Sequence, residues 1–131
     1  MTWGDLTGKM EFLPYCFEYN IGIILGGAYN SGILASDLGL ASYYDYRGTP
    51  PEILKKARRI RDVCARYNVP LKAAALQFVL AHPAVKSVIP GSRYPEHVHE
   101  NAAMIQYDIP PELWDDLRNE GLIAENAPTP L

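Results

Sequence analysis

The stretch SVIPGSRYPEHVHEN (Ser87–Asn101) decides the fold, because it passes from a strand pattern to a helix pattern inside one turn. Val85 to Ile89 form a short, largely apolar run. Pro90-Gly91 stops it, and Pro95 suits the first turn of a helix that reaches to about Met104. Gly91, Ser92 and Arg93 are left between the two elements. The first N–H groups of a helix have no partner within it, so a strand that runs through glycine into a helix presents a place that attracts anions. Ser92 adds a hydroxyl donor, Arg93 adds a forked guanidinium suited to phosphate, and Gly91 allows close approach to the backbone. The residues alone leave two readings open. One is a turn that grips a phosphate, and the other is a solvated surface arginine.

Working outward, Leu71 to His82 reads as a helix that is apolar nearly all round and therefore buried, with Lys72 and Gln77 as interruptions. Before it, Thr49 followed by Pro50, Pro51 and Glu52 reads as a capping box that starts an amphipathic helix. Ile53, Ala57, Ile60, Cys64 and Tyr67 share its apolar face, and Asn68-Val69-Pro70 ends it. The segment from Ala35 to Gly48 reads as a loop. IGIIL (Ile21–Leu25) is a short continuous apolar run, the pattern of a parallel strand buried on both faces. It leaves through Gly26, Gly27 and Gly32 with the polar Asn30 and Ser31, giving backbone that a ligand can approach closely. Met10 to Tyr19 predicts a short helix with Pro14 in its first turn or at a kink. Towards the other end, Pro110 to Gly121 predicts a helix with Leu113, Trp114 and Leu117 on its apolar side, followed by an irregular tail over 122–131.

With 131 residues, the chain is the size of one domain. At 48% hydrophobic and 21% charged it has the composition of a folded protein, and its net charge of −3 argues against a nucleic-acid binder. No apolar run approaches the roughly 18 residues of a membrane span. Asp5 stands where a signal peptide would be basic and then apolar, so the expected location is cytoplasmic. Cys16 and Cys64 lack a C-x-x-C neighbour, which predicts free, structural thiols in a reducing compartment. His97 and His99 point to nearly opposite sides of their helix, and His82 lies in another element, so no metal site is expected. The basic helix from Lys55 to Arg66, with the helix after it, imitates a helix-turn-helix, but the second helix is too apolar to lie in a groove. Tyr29, Tyr43, Tyr44 and Tyr46 read as loop or core packing.

IPGSRYPEHVHEN resembles the cofactor-binding segment of the aldo-keto reductases, (β/α)8-barrel oxidoreductases whose last strand ends in an I-P-x-S-type turn before a helix carrying E-N. GIILGGAYNSGIL is similar to the seventh barrel strand of the branch that oxidises fucose and related aldoses and includes pyridoxal dehydrogenase-like enzymes. The resemblance covers roughly Phe12 to Gly121. It implies an α/β fold equivalent to the C-terminal portion of a (β/α)8 TIM barrel, incomplete, with about two parallel strands and four to five helices. Residues 1–131 would form a single partial domain, with 1–11 unassigned.

The same resemblance implies NADP or NAD as cofactor. Gly91, Ser92 and Arg93 would lie along the adenosine ribose or its 2′-phosphate. His97 occupies a position where many NADP-preferring members have arginine, as Gly91 does for lysine. Glu100 and Asn101 would contact the adenine, and Gly27, Asn30, Ser31 and Gly32 would border the pyrophosphate. Gly26 stands where many members stack an aromatic ring on the nicotinamide. The family's catalytic aspartate, tyrosine, lysine and histidine lie on earlier strands, and the full barrel needs roughly 250 residues. No catalytic residue is therefore assigned, and the chain is expected to be inactive alone. Two strands with open edges predict self-association, or pairing with a complementary N-terminal half. The alternative is a non-catalytic nucleotide-binding or structural remnant.

Overall fold

The computed structural model describes residues 12–29, 32–35, 43–44, 47–48 and 50–130. In chain order its elements are α1 (Phe12–Glu18), β1 (Ile23–Gly26), a 3-10 turn (Ile33–Ala35), β2 (Tyr43–Tyr44), β3 (Arg47–Gly48), α2 (Pro51–Arg66), α3 (Leu71–Leu80), β4 (Val85–Ile89), α4 (Pro95–Ile105) and α5 (Pro111–Asn119). β1 and β4 pair in parallel, with Ile24 opposite Ser87, Leu25 opposite Val88 and Gly26 opposite Ile89, after an irregularity between Ile23 and Ile24. The α/β architecture with two parallel strands and five helices is thus as the sequence implied.

The helices cover one face of this sheet. α3 contributes Ala73, Ala74, Ala75, Leu76, Phe78 and Val79 to the core, its small residues allowing close approach to β4 and α4. α2 buries Ala57, Ile60, Val63 and Cys64, while Ile53 and Tyr67 pack at the margin. α5 adds Leu113, Trp114 and Leu117. The tail is irregular yet docked: Leu122, Ile123 and Ala127 are buried, and Arg118 Nη2 donates to Ala127 O at 3.3 Å and Thr129 Oγ1 at 2.6 Å. Both cysteines are free and buried, and desolvation pushes the Cys64 thiol up to about 12.

Three expectations need correction. The strand at Ile21–Leu25 is not buried on both faces: Ile24 is 68% exposed, and across the sheet Ile89 is 62% exposed. Leu25 and Val88 turn towards the helices, and among the described residues nothing covers the opposite face. Helix α2 starts later than the capping box requires, because Pro50 is its N-cap and no side chain caps it; the Pro50 carbonyl accepts from Leu54 N–H at 3.1 Å. Thr49 lies outside the described residues. The Ala35–Gly48 loop contains a small antiparallel pairing, Tyr43 with Gly48 and Tyr44 with Arg47.

His82 closes the turn between α3 and β4. Its Nδ1 accepts the Ala84 N–H at 3.2 Å, which requires that nitrogen unprotonated, and burial lowers its pKa below the ordinary 6.5. The unfolded chain therefore binds the proton more readily. This contribution to stability is present above the unfolded value and is lost as pH falls through it towards the lower folded value. Urea unfolding between about pH 7.5 and pH 5.5 is expected to show a loss of stability that His82→Asn flattens. Equal slopes in the two chains would refute this role for His82.

Candidate functional site

Parallel pairing brings the C-terminal ends of β1 and β4 to the same edge, so the segments that follow them meet. Gly27, Ala28, Tyr29, Gly32 and Ala35 from the β1 side and Ile89, Gly91, Ser92, Arg93, His97 and Asn101 from the β4 side line a cleft of about 1020 Å³, joined by Lys72 of α3. This volume lies at the upper end of small-molecule and cofactor sites. Gly27 and Gly32 adopt φ of +68° and +95°, the left-handed region that disfavours side chains. Among the described residues, and apart from the glycine and its chain neighbours, no atom lies within 4 Å of where a Cβ would stand at Gly27, Gly32 or Gly91, so the backbone there is open to the cleft.

One polar chain, buried at Tyr29 and Asn101 and reaching the exposed Ser92, ties the two sides. Tyr29 Oη donates to Asn101 Oδ1 at 2.6 Å, and Asn101 Nδ2 donates to Ser92 Oγ at 3.1 Å. Tyr29 and Asn101 are 7% and 5% exposed. Desolvation first, and the Glu100 carboxylate second, push the Tyr29 phenol up to about 12, so it keeps its proton and acts as a donor. A tyrosine tuned this way is poorly suited to giving up its proton in acid–base chemistry near neutral pH, which agrees with its reading as packing.

Arg93 and His97 form the outer rim. The Arg93 N–H donates to His97 Nδ1 at 3.3 Å, the His97 ring meets Tyr94 edge-on at 5.4 Å, and the Arg93 guanidinium lies 5.6 Å from the Tyr94 ring centroid. Lys72 Nζ pairs with Glu100 Oε2 at 2.7 Å. Lys72 reaches the cleft lining and Glu100 does not, so the titratable side chains on the described lining are cationic or neutral. An anionic ligand meets no carboxylate there.

Of the residues singled out from sequence, Gly27, Gly32, Gly91, Ser92, Arg93, His97 and Asn101 come together in this cleft. Glu100 sits behind it, engaged with Lys72. Asn101 is occupied by Tyr29 and Ser92, inside the protein. Asn30 and Ser31 lie outside the described residues. Tyr29 and Lys72 were not anticipated as lining residues. The signal for Lys72 was a lone cation at the start of an otherwise apolar helix; for Tyr29 it was only its place between two glycines.

A family model for the aldo/keto reductase family matches residues 6–119. The chain belongs to the aldo/keto reductase family. It is 42% identical over 120 residues to pyridoxal 4-dehydrogenase of Microbacterium luteolum, covering 92% of this chain and 35% of that protein. It is 38% identical over 121 residues to D-threo-aldose 1-dehydrogenase of a Pseudomonas species, covering 92% of this chain and 36% of that one. The chain thus spans about a third of the length of these two aldo/keto reductase relatives, and its two-stranded sheet is a portion of the family's barrel. Among the described residues, no helix is long and apolar enough to cross a membrane, and no group of three His, Cys, Asp or Glu is placed to hold a metal ion.

Proposed function

We propose that this chain supplies the adenosine-phosphate-holding part of an NAD(P)-dependent aldo/keto reductase acting on a sugar or other carbonyl compound. The observation that carries the reading is the cleft where the two parallel strands end, with open glycine backbone on both sides and no described carboxylate on its lining. The dehydrogenase names of both relatives support a nicotinamide cofactor. These residues fit such a group: Ser92 and Arg93 would hold a phosphate or ribose oxygen, and Gly27 and Gly32, with Asn30 and Ser31, would border the pyrophosphate. His97 would fix the turn by accepting the Arg93 N–H, and Glu100, behind the cleft, would hold Lys72 at its lining. The nicotinamide, when bound, supplies or accepts a hydride; this chain's own residues would hold the adenosine and phosphate end of the dinucleotide, and none is assigned to the chemical step. Calorimetric titration of the 131-residue chain with NADPH and then NADH tests the reading. Saturable binding is expected, and absence of heat with both would overturn it.

Residues 1–131 are read as one partial domain, and a cytoplasmic location fits its free, buried cysteines. The exposed sheet face supports self-association or pairing with a complementary N-terminal half. Ile24 and Ile89 stand on that face of the sheet, and apolar side chains there favour association. Sedimentation velocity is expected to show species larger than monomer, shifting towards monomer in Ile24→Lys with Ile89→Lys. A parent chain that stays monomeric across concentrations would refute self-association.

A further inference from the structure

The order of donors in the buried chain has a chemical consequence at its end. Tyr29 gives its single proton to Asn101 Oδ1, which leaves the Asn101 Nδ2 group to donate, and it does so to Ser92 Oγ. A hydroxyl that accepts on one lone pair has its own proton left to point elsewhere. Ser92 is exposed and lines the cleft, so elsewhere is towards the ligand. We propose that Tyr29 and Asn101 are positioning residues that aim the Ser92 hydroxyl proton into the cleft, as a donor to an anionic oxygen of the dinucleotide. This rests on the cofactor reading above and gives Asn101 a role directed at the Ser92 hydroxyl.

The arrangement spans elements far apart in sequence: Tyr29 follows β1, Ser92 follows β4, and Asn101 lies in α4. The burial of Tyr29 and Asn101 matters, because water does not compete for the bond between them and the Asn101 amide is held with its Nδ2 group towards the exposed Ser92 hydroxyl. Without Tyr29's proton, Asn101 Oδ1 becomes an unmet buried acceptor. The Ser92 hydroxyl can then turn to supply it, and its proton leaves the cleft.

A double-mutant cycle on the 131-residue chain tests this, with NADPH as the titrant and thermal melting to confirm folding. Tyr29→Phe is expected to weaken binding on the order of three- to tenfold when Ser92 is present, and to add nothing in a Ser92→Ala background. Ser92→Thr, which keeps the hydroxyl, is expected to restore the dependence on Tyr29. Equal losses in the serine and alanine backgrounds would mean that Tyr29 only clamps the two segments together, and would overturn the relay alone. No binding by the parent chain would overturn the cofactor reading and this proposal with it. If Tyr29→Phe does not fold, Asn101→Asp asks the same question. It keeps the acceptor for Tyr29, loses the donor and captures the serine proton, so it should weaken binding only where Ser92 is present. Its added charge acts in both backgrounds and drops out of the comparison.

Discussion

Arg93→Ala is expected to weaken NADPH binding on the order of tenfold or more, the scale of a lost hydrogen bond to a charged group. Arg93 is exposed on the rim of the cleft, and its guanidinium contacts only the face of Tyr94 among the described interactions. Folding should therefore be unaffected, and the melting temperature of the variant should match the parent. The geometry of the group decides a second comparison. Lysine keeps the charge but loses the fork, so Arg93→Lys should recover part of the affinity. If the fork reads a 2′-phosphate, the loss should be larger with NADPH than with NADH, and it should shrink as salt is raised. Calorimetric titration of the three chains with both dinucleotides measures all of this. Unchanged affinity in Arg93→Ala would return that residue to the solvated-arginine reading.

The largest effect on stability is expected at Trp114. It is 1% exposed, it stacks on Phe78 with ring centroids 6.2 Å apart, and it lies beside Leu113 and Leu117 in the apolar seam of α5. Truncation to alanine removes the ring from a closely packed core and leaves a cavity, at a cost of about 3–5 kcal/mol. A domain of this kind has only about 5–15 kcal/mol in total, so Trp114→Ala should unfold at much lower urea or fail to fold. Trp114→Phe makes the control. The indole Nε1 is buried without a hydrogen-bond partner among the described residues, so phenylalanine discards an unmet donor while keeping most of the ring. Its cost should be far smaller than that of alanine. Equal midpoints for Trp114→Ala and the parent in urea unfolding would show that α5 is not part of the cooperative core.

The elements most legible in the sequence were those with local punctuation. Pro90-Gly91 and Pro95 bracket the turn between β4 and α4, and the structure ends β4 at Ile89 and starts α4 at Pro95. Asn68 takes up φ of +57° just beyond α2, where asparagine tolerates the left-handed region better than most residues. The apolar spacing of α2 likewise predicted its buried face at Ala57, Ile60 and Cys64. The capping box misled because two consecutive prolines can each occupy the start of a helix. The backbone chose Pro51 as first residue with Pro50 as cap.

The sequence by itself determined the family through the resemblance of its two motifs, and it placed glycine-rich segments at strand ends, because strand periodicity, proline and glycine act within a few residues of where they stand. Only the tertiary structure decided which side chains are tied to one another around the cleft. Tyr29 and Asn101 are 72 positions apart and Lys72 and Glu100 are 28 apart, and no local rule links either pair. The one-sided burial of β1 was likewise decided in three dimensions. An isoleucine run states that a strand favours apolar contact on both faces, but burial also needs a second layer of side chains, and among the described residues only the helical layer is there.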